Sequence, residues 1–293
     1  MYANIFADLT IALLVARKCI KELKFMNICF FSPCAELKPY IDRYWSWDNT
    51  KEQNEIYMPV IPPATGIELF IHHRDPFIID HKGGLPPDHL IFSTEKPSII
   101  LPSRNIGFVA VRFRTGMFRH FTGIPLAELN GHYINMQNIW GHQGKETFEQ
   151  ISNTISLSGK ISILEKFLVN KLAMNNKMDT LWNHIINELY KDGGDAVLER
   201  FSKDLNISYR HFRRKFIEQT GIAPKHFQQL SRFHATIKPL LLNGDKRYLS
   251  FALDNGYFDQ THFIKEFKQY MQVTPSDFLQ KKNFMSHFYY PKM

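Results

Sequence analysis

"DQTHFIKEFKQYMQVTPSDFL", residues Asp259 to Leu279, places apolar side chains at Phe263, Phe267, Tyr270 and Met271. The spacing i, i+4, i+7, i+8 is one stripe of an α-helix. Asp259 is suited to cap it, because its carboxylate accepts from the otherwise unpaired N–H groups of the first turn. Pro275 stands beyond the helix end, where a helix does not readily continue. The opposite face carries Gln260, Thr261, Ile264, Lys265 and Lys268. That is an amide, a hydroxyl and two cations around one aliphatic side chain.

The chain repeats this arrangement. "SYRHFRRKFIEQTGIAPKHF", Ser208 to Phe227, aligns without a gap on Asp259 to Phe278, at an offset of 51 residues. His211, Phe212, Phe216, Pro224 and Phe227 fall on His262, Phe263, Phe267, Pro275 and Phe278, and Ser208 takes the cap position of Asp259. A solenoid needs at least about three repeats to bury a continuous core, so two copies predict two similar subdomains. Each copy follows a short helical pattern. Val197, Leu198, Phe201 and Leu205 form the first stripe; Leu249, Ala252 and Leu253, closed by the turn dipeptide Asn255-Gly256, form the second. Helix, short turn, capped helix is the helix-turn-helix plan, whose second helix enters the DNA major groove.

The exposed face of the first capped helix reads Ser208, Tyr209, Arg210, Arg213, Arg214 and Lys215. The planar fork of arginine reaches guanine O6 and N7 together. A single basic helix face is ordinarily just a solvated surface. Two capped copies at matched spacing favour DNA contact instead. Charge agrees: residues 195–293 hold 16 Lys and Arg against 9 Asp and Glu, while residues 1–194 hold 20 against 19. The surplus of the formal +8 charge therefore lies where the capped helices are, as expected for a polyanion partner. The apolar faces are core-like stripes, without the broad basic-flanked amphipathic face of a membrane-surface helix.

With 293 residues, 44% apolar and 14% aromatic, the chain is a folded protein long enough for two domains. Its three cysteines, Cys19, Cys29 and Cys34, include no CxxC pair. Free thiols in a reducing cytoplasm are the simplest reading, with a redox sensor as the alternative. "IFADLTIALLVA" near the N-terminus is apolar but carries Asp8, and it is shorter than the roughly 18 residues of a spanning helix. Residues 1–26 are read as an extra helix or an upstream extension before Met26.

Residues 27–130 read as β-rich after an opening helix. "CAELKPYIDRYWSW" sets Leu37, Tyr40, Ile41 and Tyr44 at helical spacing. "GIELFIHH", "FIID", "HLIFS", "SIILPS" and "IGFVAVRFR" are short β-branched and aromatic runs punctuated by Pro and Gly. Closely spaced short strands suggest a barrel or sandwich. From Met117 the pattern turns helical, with "GMFRHFTGIPLAELNG" as one piece. "ETFEQISNTI" and "ISILEKFLVNKLAM" then form a helical hairpin, whose Ile161, Leu164, Phe167, Leu168 and Leu172 are read as intramolecular core. "MDTLWNHIINELYKDGG" is a further helix ending at Gly193-Gly194.

Other residues tempt a chemical reading. Adjacent His72 and His73 point to opposite faces of a strand, so they do not ligate one ion, and no metal or cofactor is expected. Arg112 and Arg114 share a face by the period of two, as do Trp45 and Trp47. With Glu68 they are candidates for an effector site in the β-rich part. The competing readings are surface ion pairing for the charged residues and core packing for the tryptophans. Neither a Gly-rich phosphate loop nor a GxSxG elbow occurs, so no residue speaks for an enzyme.

Met178 to Lys282 resembles the AraC/XylS-type DNA-binding domain. Its second signature, "DNGYFDQTHFIKEFKQYMQVTPSDF", carries Gly256-Tyr257, Phe263, Phe267-Lys268 and Pro275 where the family has Gly-Phe, Phe, Phe-Lys and Pro. The resemblance implies seven helices, with the two units joined by a long helix and entering adjacent major-groove segments about 34 Å apart. It implies base or phosphate readers at Arg210, Arg213 and Arg214 in the first unit and at Gln260, Thr261 and Lys265 in the second, and a structural Arg232. Pro239 in the connecting helix departs from the pattern and predicts a kink or an early end. "PCAELKPYIDRYWSWD" and "VRFRTGMFRHFTGIPLAEL" resemble an uncharacterised N-terminal domain found before AraC-type modules. In the wider family such domains are often cupin-like barrels that bind an effector or dimerise.

The expected fold class is therefore α+β: a β-rich, cupin-like N-terminal domain, a helical linker and an all-α C-terminal domain of seven helices. The expected boundaries are 1–26 extension, 27–130 β-rich domain, 131–177 linker, 178–282 DNA-binding domain and 283–293 tail. The expected function is a cytoplasmic, non-enzymatic, sequence-specific transcription regulator. Its partners would be double-stranded DNA, a small-molecule effector, RNA polymerase and a second copy of the chain, without a membrane. The alternatives are a non-specific nucleic-acid-binding protein and an enzyme using the N-terminal barrel.

Overall fold

A computed structural model describes residues 27–48, 60–80, 82–101, 105–175, 179–191, 195–243 and 248–280. Residues 1–26, with Cys19 and the proposed extension, lie outside the described residues, as do Gly193-Gly194 and the tail.

The β-rich half is built on a six-stranded antiparallel sheet. Its strands are β1 (Asn27–Phe31), β2 (Ile41–Asp48), β4 (Glu68–His72), β7 (Asp88–Ile91), β9 (Gly107–Phe113) and β10 (Tyr133–Ile134), in the order β1-β2-β9-β4-β7-β10. Two ribbons, β3 (Val60–Ile61) with β8 (Ser98–Ile99) and β5 (Ile78–Ile79) with β6 (Gly83–Gly84), complete it. Register divides the side chains. Tyr44, Val111, Leu69 and Leu90 form one row across four strands; Trp45, Ala110, Phe70 and His89 form the next. Successive rows point to opposite faces. The first face packs on helices, in a core with Leu164 and Leu168. The second packs with Ile61, Ile79 and Ile100 from the ribbons and their surroundings. Both faces are covered, so β2, β4 and β9 are buried almost throughout.

Two readings are corrected here. Leu37 to Tyr44 is not a helix: residues 35–40 are turns, and β2 begins at Ile41. A strand buried on both faces has no polar–apolar alternation, and its aromatics happened to fall at helical spacing. Likewise "GMFRHFTGIPLAELNG" is two pieces, a 3-10 turn at Met117–His120 and α1 (Leu126–Leu129). Pro125 has no N–H to continue a helix, and the Thr122 hydroxyl instead accepts from the Ile124 N–H.

Helices α2 (Met136–Trp140), α3 (His142–Asn153) and α4 (Leu157–Asn175) follow. The α3–α4 hairpin packs against the sheet through the expected stripe. Ile161, Leu164, Phe167 and Leu168 are buried, while Leu172 is partly buried. The seven remaining described helices are α5 (Thr180–Lys191), α6 (Asp195–Asp204), α7 (Tyr209–Thr220), α8 (Pro224–Asn243), α9 (Tyr248–Asp254), α10 (Gln260–Met271) and α11 (Pro275–Gln280). The α+β class and the seven C-terminal helices agree with the sequence reading. Helix α8 continues through Pro239 to Asn243 rather than ending there.

The two repeats do not share one core. Trp182, Phe201, Phe212, Phe216 and Phe227 of α5–α8 belong to the same apolar cluster as the helix-covered face of the sheet. Leu230, Phe233, Phe263, Phe267 and Tyr270 form a separate cluster around α8–α10. The first repeat is thus packed into the β-rich half, and the second is cored by itself.

Candidate nucleic-acid interface

Each capped helix is set by its own sequence. The Ser208 hydroxyl accepts from the His211 N–H over 3.3 Å at the start of α7, and the Asp259 carboxylate accepts from the His262 N–H over 2.7 Å at the start of α10. The turns before them use positive φ, at Asn206 in the first unit and Gly256 in the second. At the helix ends, Gly221 and Gln272 occupy matching left-handed positions. The difference has a local reason. A Cβ at Gly221 would lie 2.8 Å from the backbone carbon of Leu126, so α1 reaches the end of α7 only because this residue is glycine.

The inward stripes are as the periodicity predicts: Phe212, Phe216, Phe263 and Phe267 are all buried. The outward residues Ser208, Tyr209, Arg210, Arg213, Arg214, Gln260, Thr261 and Lys265 are exposed; Lys215 and Ile264 are half-buried. Arg214 and Lys215 both reach Glu218, at 3.9 and 3.0 Å. Arg210 and Arg213 have no carboxylate partner among the described residues. They are the first-unit side chains whose charge is most available to a phosphate or a guanine edge.

Arg232 on α8 points to the second unit. Its guanidinium donates to Glu266 Oε2 over 2.8 Å and stacks over the Tyr257 ring at 4.4 Å, while the Tyr257 hydroxyl donates to Glu266 Oε1. Burial opposes the guanidinium charge, but Glu266 and Tyr257 outweigh it and hold its pKa above the usual value. The ion pair fixes α10 against α8. Nothing in the spacing of Glu266 alone marks it as buried; its i, i+3 relation to Phe263 was the available signal.

The β-rich candidates separate. Trp45, Glu68 and Arg112 come together: the Trp45 indole N–H donates to Glu68 Oε1 over 2.6 Å, and Arg112 lies 3.6 Å from Glu68 Oε2. Glu68 is 7% exposed, so this is an interior pair rather than a surface one. Trp47 is fully buried in the ribbon-covered core. Arg114 lies past the end of β9, exposed, donating to the Lys38 carbonyl. His72 is buried and stacks on His89 at 5.2 Å, whereas His73 turns to Asp48. Burial first, then the neighbouring imidazole, lowers the His72 pKa to about 3; burial lowers that of His89 to about 4. Both rings are held neutral. No group of three His, Cys, Asp or Glu able to hold a metal occurs among the described residues. Cys29 and Cys34 are free thiols, and burial raises the Cys34 pKa, which disfavours the reactive thiolate.

Residues 201–281 match the model of a helix-turn-helix domain, and residues 30–135 match a domain of unknown function (DUF6597). An uncharacterised HTH-type transcriptional regulator of Haemophilus influenzae is 30% identical over 94 residues, which span 32% of this chain and 31% of that protein. Crystal structures of ToxT from Vibrio cholerae are similar at low identity. One form is 15% identical over 87% of this chain and 97% of that one, with a TM-score of 0.42. A form bound to an unsaturated fatty acid has a TM-score of 0.33 at 15% identity, covering 87% and 94%. TM-scores below 0.5 do not define a shared fold. The chain thus joins a region that matches a domain of unknown function, residues 30–135, to one that matches a helix-turn-helix domain, residues 201–281.

Proposed function

We propose that this protein is a sequence-specific DNA-binding transcription regulator of the cytoplasm, without enzymatic activity. Its β-rich region, residues 27–130, binds a small effector or dimerises, and residues 131–177 link it to the DNA-binding region, 178–282. The observation that carries the reading is the pair α7 and α10. Two capped helices, 51 residues apart in sequence, bury equivalent phenylalanines and expose polar and cationic faces. Arg210, Arg213 and Arg214, with Ser208, Tyr209 and Lys215 beside them, read the first major-groove segment. Gln260, Thr261, Ile264 and Lys265 read the second. RNA polymerase and a second copy of the chain are the protein partners of this reading.

A footprint on DNA upstream of the protein's own and neighbouring genes, with excess competitor duplex, tests it. The expected result is two protected patches about one helical turn apart. Equal affinity for any duplex, with a steep salt dependence throughout, would establish the non-specific alternative instead. Arg213→Ala is expected to weaken binding to the preferred site by about 1–3 kcal/mol. Unchanged affinity would remove Arg213 from the readers.

A further inference from the structure

A cleft of about 460 Å³ opens where the end of the main sheet meets α5 and α8. Its volume falls in the range of small-ligand sites, roughly 300–1,000 Å³. Its wall is drawn from both halves of the chain. Arg43, Arg112 and Arg114 come from the sheet and its edge; Lys191 comes from α5 and Lys238 from α8. Asp42 is the carboxylate in the lining, 3.0 Å from Arg43, and Glu68 sits behind Arg112. Among the described residues, five formal cations and two carboxylates thus line or back the cleft.

The sheet itself sharpens the point. Arg43 and Arg112 are directly paired across β2 and β9. Like charges opposite one another on one face destabilise a sheet. The two halves then add a lysine each to the same space. His234 lines the cleft but adds no charge near neutral pH, because burial lowers its pKa to about 4 even though its Nε2–H donates to the Pro63 carbonyl at 2.7 Å. The Thr65 and Thr115 hydroxyls on the wall share one hydrogen bond at 3.1 Å, which leaves one O–H of the pair able to face an oxyanion.

We propose that this cleft binds a small organic polyanion with two or three negative charges, of the carboxylate or phosphate-ester class, bridging the β-rich region and α8. The idea rests on the effector reading of the β-rich half and names the effector's chemistry and seat. Arginine forks hold one anionic group at the sheet, and lysines close on another from the helices. Because α8 contributes Phe227 to the core of the first repeat and Leu230 and Phe233 to that of the second, a ligand that ties α8 to the sheet fixes the second repeat relative to the first. A ligand preferring that docked arrangement shifts the protein toward it.

Calorimetric titration of the full chain without DNA tests this, using citrate and pyrophosphate as probes against chloride at matched ionic strength. The expected result is saturable binding of one anion per chain. It weakens by about tenfold or more in each of Arg114→Gln, Lys191→Gln and Lys238→Gln, and stays unchanged in Lys96→Gln, an exposed lysine outside the cleft. Preference for citrate or for pyrophosphate assigns the carboxylate or phosphate class. Absence of binding beyond the chloride control overturns the proposal. So does binding indifferent to Lys191 and Lys238, which would confine the anion to the sheet. If a glutamine variant unfolds, Arg114→Lys and Lys238→Arg keep the charge and are expected to retain binding. DNA is absent from the titration, so its failure leaves the footprint result untouched, and a failed footprint leaves the titration valid.

Discussion

His234 donates its Nε2–H to the carbonyl oxygen of Pro63 across 2.7 Å and 171 residues of sequence. Eight residues earlier on the same helix, His226 makes the matching bond to the Thr94 carbonyl, also at 2.7 Å. Two imidazoles on α8 therefore clasp two loops of the β-rich half. Carbonyl oxygens only accept, so both rings carry the proton on Nε2. His234→Ala removes a buried donor and leaves the Pro63 carbonyl facing a void. The expected cost is about 1–3 kcal/mol of unfolding free energy, read from the urea midpoint. A change within the error of the wild type would mean that the clasp is incidental.

Acid should loosen the same region. Burial lowers the pKa of His234 and of His89 to about 4, and that of His72 to about 3, from an ordinary 6.5. The unfolded chain then binds more protons than the folded one between those values. Stability contributed by each imidazole is complete above pH 6.5 and is lost as pH falls toward 4 and then 3. The slope is about 1.4 kcal/mol per pH unit for each ring in that window. Asp88, whose pKa burial raises, acts in the opposite sense and offsets part of the slope. Urea midpoints measured between pH 7 and pH 4 should fall steadily; a flat profile would contradict the neutral, buried imidazoles.

Glu266→Ala tests the second repeat by itself. It strips Arg232 of its carboxylate and leaves a half-buried guanidinium beside Tyr257, a loss of about 3–5 kcal/mol for a broken buried pair. Because the second repeat has its own core, hydrogen exchange should speed up in α10 and leave the amides of α4 protected. Equal loss in both helices would show one cooperative unit instead of two.

Gly221→Ala tests the seam between the first repeat and the β-rich half. The residue sits at φ 74°, and its added Cβ would press on the backbone of Leu126 and Ala127. Left-handed strain costs about 1–2 kcal/mol, and the contact adds to it. The matching position Gln272 already tolerates this conformation, so Gln272→Gly should be neutral or nearly so. Thermal unfolding of the two variants should differ clearly; equal shifts would remove the α1 contact from the explanation.

Much of the DNA-binding half could be read directly from the chain. Caps at Ser208 and Asp259, stripes through Phe212 and Phe263 and a charge surplus after residue 195 are local or compositional features. They survive folding because helical hydrogen bonds and capping bonds are made within a few residues. The β-rich half was less legible. A strand such as β2, covered on both faces, loses the alternation that marks a strand, and its aromatics imitated a helix. Glu68 and Arg112 are visible as candidates, with surface ion pairing as the competing reading, but their pairing with each other in the interior is not, since burial depends on the ribbons that fold over the sheet.

By itself the sequence determined the two capped C-terminal helices, their two-fold repetition and the residues each one turns outward. Tertiary structure alone decided that the first repeat shares its core with the sheet while the second does not. It also decided that Arg43, Arg112, Arg114, Lys191 and Lys238 meet around one cleft. The physical reason is range. A helix stripe is fixed by neighbours three and four residues away, whereas Arg43 and Lys238 are brought together only by strand register and by the packing of α8 against the sheet.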